Sequence, residues 1–135
     1  MEYHERLTLD PEPRSVRIGR RFLLDKLTEW RLSDLSDVAA LLASEALTNA
    51  VIHARTPLVL AIRADGDLRV EVIDEDPTPV RAPLVPPADE PMQSDPRPDG
   101  ESGRGLMMIA ALADRWGVTG HGDGKSVWFT FRLAR

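Results

Sequence analysis

The sequence contains no cysteine, so disulfides, thiolate nucleophiles and zinc–thiolate sites are excluded. It is also short of positive charge: 17 Lys and Arg stand against 22 Asp and Glu, a formal net charge of −5 at pH 7. Nucleic acid and anionic membrane both select for basic surfaces, so neither is an expected direct partner. The charged N-terminus carries no apolar segment of the signal-peptide kind. No apolar run is expected to approach the roughly 20 residues that cross a bilayer, and a cytoplasmic location is the expectation. What is present is ordinary for a globular protein: 135 residues, 42% apolar and 29% charged. That length suits one domain spanning residues 1–135.

Residues 3–9 fit a short edge strand ended by Pro11 and Pro13. From about Ser15 to Trp30, Val16, Phe22, Leu23, Leu27 and Trp30 recur at helical spacing. Ser33 or Asp34 can cap a second helix through "LSDVAALLASEALTNAVIHA", which should stop near Arg55, ahead of Pro57. Residues 58–64 and 68–74 read as strands joined by a tight turn at Asp65-Gly66-Asp67. Eight of the eleven prolines then lie between Pro77 and Pro98, which excludes a helix or central strand there and points to a long functional loop. After it, "GESGRGLMMIAALADRW" reads as a glycine-rich turn opening a third helix, and residues 117–120 and 126–133 as a closing hairpin. The order β-α-α-β-β-loop-α-β-β predicts an α+β two-layer sandwich. Its mostly antiparallel, mixed sheet would be covered on one face by three helices.

Two features suggest chemistry. On a helical wheel at about 100° per residue, Leu35, Val38, Leu41, Leu42 and Ile52 share an arc, with Glu45 and Asn49 near its middle. A carboxylate and an amide one turn apart in an apolar stripe require a partner. The partner is either structural, in the backbone or each other, or a bound cation with an activated water. His53 at the helix end can simply complement the helix dipole. The second feature is Gly100, Gly103 and Gly105 before a helix. They can form a phosphate cradle with Arg104 or an ordinary flexible N-terminal turn. Neither a Walker loop nor a dinucleotide fingerprint is present.

In combination these segments resemble the GHKL superfamily of Bergerat-fold ATP-binding domains, in the form typical of anti-sigma factor serine/threonine kinases of Gram-positive bacteria. "SEALTNAVIHA" looks like the N box, "VEVIDEDP" the aspartate box, "GESGRGLMMIAALADRWGV" the glycine box, and "GKSVWFTFRL" the closing strand. The matches follow the family order from about residue 35 to the C-terminus. By resemblance, Asn49 would coordinate Mg²⁺ and Glu45 would be the general base. Asp74 would accept from the adenine amino group, with Ser126 assisting, and Gly103, Arg104 and Gly105 would wrap the phosphates. Residues 76–104 would form the ATP lid.

The resemblance thus implies an ATP- and Mg²⁺-dependent kinase of a small antagonist protein that also sequesters a sigma factor, with homodimerisation left open. The sequence departs from the pattern after Asp74, where Glu75, Asp76 and Pro77 replace the family's Asp-x-Gly. That departure keeps an alternative in view: a Bergerat-fold module with weak or no catalysis, regulating a partner by sequestration.

Overall fold

The computed structural model describes residues 2–53, 55–75, 108–121 and 124–133. Strand β1 (Tyr3–Leu9) leads into helix α1 (Arg14–Glu29), whose Leu23 and Leu27 are fully buried. The Ser15 hydroxyl donates to the Asp10 carbonyl at 2.6 Å and ties the helix start to the end of the strand. At the other end, Leu32 N–H donates to the Leu27 carbonyl and Arg31 N–H to that of Thr28, with Arg31 in the left-handed region at φ 59°. This is a Schellman termination with arginine in the position glycine usually takes. A 3₁₀ turn over Ser33–Leu35, rather than a side-chain cap, brings the chain into helix α2 (Ser36–His53).

Strands β2 (Leu58–Asp65) and β3 (Asp67–Asp74) form the expected hairpin. It turns at Gly66, whose φ of 79° suits a residue without a Cβ. Residues 108–112 are helical. Strand β4 (Arg115–His121) starts two residues before the expected 117 and pairs with β5 (Gly124–Arg132). The sheet order is β1-β2-β3-β5-β4. Each neighbouring pair is antiparallel, so the expected parallel component is absent among the described strands.

Alternation divides the sheet into two faces. Leu58, Leu60, Ile62 and Ala64 of β2 and Leu68, Val70 and Val72 of β3 are buried and share one core with Leu23 and Leu27 of α1, Leu42 and Leu47 of α2, and Ile109. This is the helix-covered face. On the other face the Arg69 guanidinium lies 4.3 Å from the Trp128 ring, and Trp128 Nε1 donates to Thr119 Oγ1 at 3.3 Å.

The 21-residue stretch Ser33–His53 does reach the length and apolarity of a membrane span, with mean hydropathy 1.4 over its most apolar 18 residues, contrary to the expectation from sequence. Its apolarity has an internal use: Ala39, Leu42, Ala43, Ala46, Leu47 and Ala50 are buried within the domain.

Candidate functional site

Helix α2 packs on α1 and on β3 through its alanine-rich side. Alanine has no side chain beyond Cβ, so it permits close approach of the helix to its neighbours. The arc expected to face the core lies elsewhere. Of its apolar members only Leu42 is fully buried; Leu41 is 43% and Ile52 47% exposed. Glu45 and Asn49 are accordingly half-buried rather than sunk in the core.

Among the described residues, neither the Glu45 nor the Asn49 side chain has a hydrogen-bond or ion-pair partner. Among the described residues, then, the two bond neither to backbone through their side chains nor to each other. Two polar groups one helical turn apart, without partners among the described residues and flanked by exposed Leu41 and Ile52, form a candidate ligand face. An amide oxygen suits Mg²⁺, which typically takes one or two protein oxygens and fills its octahedron with waters and phosphate oxygens. These residues fit a phosphate-bound Mg²⁺, whereas the described residues contain no cluster of three His, Cys, Asp or Glu side chains that would hold a metal by themselves.

Asp74 is the last residue of β3 and continues the buried series Leu68, Val70, Val72, so its carboxylate belongs to the helix-covered face. It is only 6% exposed. Its neighbour across the sheet is Lys125, whose Nζ lies 3.3 Å from Asp74 Oδ1. Gly124 makes this juxtaposition sterically possible, since a Cβ there would collide with the Asp74 carbonyl oxygen and the Glu75 backbone. Glu75 N–H donates to Thr56 Oγ1 at 3.1 Å, fixing the chain just beyond the aspartate.

Ser126, expected beside Asp74, is placed differently. It stands opposite Ile73 in the β3–β5 register, and residues directly opposite share a face. It therefore lies on the face away from Asp74, with its hydroxyl buried and without a hydrogen-bond partner among the described residues. The residue beside the aspartate is Lys125, which the sequence reading missed. Its signal was the alternation of "GKSVWFTF", but only the register tells which of two adjacent residues turns toward Asp74. Gly103, Arg104 and Gly105, with the expected lid over 76–104, lie outside the described residues.

The family model for the histidine kinase-like ATPase domain matches residues 9–131. The chain is 40% identical over 91 residues to the uncharacterized protein SCO4941 of Streptomyces coelicolor, an overlap of 62% of this chain and 75% of that protein. Among solved structures it is similar to the RsbU and RsbW domains of Rv1364c from Mycobacterium tuberculosis. That match has a TM-score of 0.61 at 23% identity, over 98% of this chain and 33% of that one. The chain thus spans about a third of the length of that solved structure, and at this identity the likeness is one of fold.

Proposed function

The chain belongs to the histidine kinase-like ATPase domain family, and on that premise we propose that it binds Mg-ATP as a regulatory protein of the anti-sigma factor serine/threonine kinase kind. The observation that carries this reading is the pair Glu45 and Asn49: one turn apart on α2, half-buried, and without partners among the described residues.

Bound Mg-ATP would supply the transferable phosphoryl group. The Asn49 amide oxygen would hold the ion, and the Asp74 carboxylate at the end of β3 would accept from the amino group of the base. Glu45 would take up the proton of a serine or threonine hydroxyl presented by a partner protein. Positioning and charge do most of the work in such transfer, so few catalytic side chains are required. Gly103, Arg104 and Gly105 would complete the phosphate site and 76–104 the lid. The proposed partners are a sigma factor and a small antagonist protein, with homodimerisation open; the location is cytoplasmic, and residues 1–135 act as one domain. The net charge of −5 accords with the absence of direct nucleic-acid and membrane roles.

The test is titration calorimetry with ATP and ADP, with and without Mg²⁺, on the wild-type protein and Asn49→Ala. Saturable Mg²⁺-dependent binding that Asn49→Ala abolishes is expected. No binding at millimolar nucleotide would remove the kinase reading. A second reading, a protein-binding module with weak or no catalysis, is favoured by the Asp74–Lys125 ion pair and by Glu75, Asp76 and Pro77 after the aspartate. Glu45→Ala distinguishes the two: it stops phosphoryl transfer in the first and leaves partner binding intact in the second.

A further inference from the structure

The carboxylate of Asp74 already has a cationic partner. Lys125 Nζ approaches Asp74 Oδ1 to 3.3 Å, and the two side chains are only 13% and 6% exposed. The pairing is built into the sheet: the two residues are directly opposite in the β3–β5 register. Directly opposed residues project to one face with Cβ atoms about 5 Å apart. Gly124 holds the first residue of β5 against the Asp74–Glu75 backbone, where any side chain would collide. The strand register therefore places Lys125 on the same face as Asp74, within reach of its carboxylate.

We propose that Lys125 is the residue that sets nucleotide affinity at this site, because its ammonium competes for the carboxylate that a nucleotide base requires. The inference rests on the reading of Asp74 as the base acceptor. A carboxylate sheltered from water holds an ammonium more strongly than a neutral amine, since charge-assisted hydrogen bonds are roughly twice as strong as neutral ones. A base that takes Asp74 Oδ1 must displace the ammonium from that oxygen in a site with little access to solvent, which is costly. A neutral residue at 125 removes this competition. The base end of the nucleotide, rather than its phosphate end, then limits affinity, and weak binding is a property of the wild-type sheet.

The experiment is calorimetry of wild type, Lys125→Thr, Lys125→Gln and Lys125→Arg with Mg-ATP and, separately, with adenosine, each protein first shown to be folded by circular dichroism. Lys125→Thr and Lys125→Gln are expected to bind both ligands about tenfold or more tightly than wild type. Lys125→Arg keeps the ion pair and stays at the wild-type value. Two neutral variants are used so that the loss of one to misfolding does not end the test. Adenosine carries no phosphate, so a gain for it cannot come from the changed charge. Wild-type binding of ATP with no gain in the neutral variants overturns this inference and leaves the ATP-site reading standing. A gain for ATP without one for adenosine also overturns it. Failure of every variant to bind ATP overturns the ATP-site reading itself, and the role of Lys125 with it.

Discussion

Glu45 and Asn49 lie one helical turn apart on α2, half-buried. Thr48, between them, donates its hydroxyl to the Ser44 carbonyl at 2.7 Å, whereas they have no side-chain partner among the described residues. Polar groups that are half-exposed and unpaired contribute little to folding. Glu45→Ala and Asn49→Ala are therefore each expected to change the unfolding free energy by no more than about 0.5 kcal/mol in urea denaturation. A loss of about 1–3 kcal/mol would mean that these side chains support the fold through bonds absent from the present arrangement. At this scale the sequence was legible in residue type but not in direction. Glu45 and Asn49 stood out on the helical wheel and Asp74 only by resemblance, while Ser126, expected to assist Asp74, is turned to the other face by the register. Strand β5 is half-buried or buried at nearly every position, so its polarity pattern does not reveal which residues face the helices.

Among the elements, the turn after α1 has the clearest energetic signature. Arg31 adopts φ 59° within a Schellman termination, a conformation in which a Cβ is strained and glycine is not. Arg31→Gly is expected to stabilise the protein by about 0.5–1 kcal/mol, after allowance for glycine's greater freedom in the unfolded chain. An unchanged or lower denaturation midpoint would contradict this. The strands and α1 were readable within two or three residues because their apolar residues recur cleanly with period 2 or 3.6. Helix α2 was readable as a helix but not in orientation. Apolar residues surround its axis, and a wheel gives the larger leucines and isoleucine more weight than the alanines. Close packing favours the opposite choice: Ala39, Ala43, Ala46 and Ala50 go inward, and Leu41 and Ile52 stay out.

For the molecule as a whole, the sheet order puts β2, β3 and β5 inside and β1 and β4 at the edges. Native-state hydrogen exchange should follow that order. Amides of Leu60, Ile62, Val70, Val72 and Phe129, residues buried in the core, are expected to exchange most slowly, and those of β1 and β4 sooner. Uniform protection across all five strands would show that the edges do not open independently. The two-layer arrangement was legible from element order alone. The antiparallel pairing of β3 with β5 was not, because the two strands are distant in sequence and no local turn specifies their contact.

That distance has a consequence for how the chain can vary. Asp74 and Lys125 are 51 positions apart, yet they stand opposite each other at the end of the seam between the two inner strands β3 and β5. In polymer terms, the central seam closes a long loop. Closure entropy grows only logarithmically with length, so doubling the intervening chain adds roughly 0.6 kcal/mol. Outside Ile109 and β4, which belong to the core and sheet, a change in the length of the intervening chain costs little in closure entropy. The burden of the topology falls on folding rate instead: the β2–β3 hairpin can form early from local contacts, while β5 must find its place by a diffusive search.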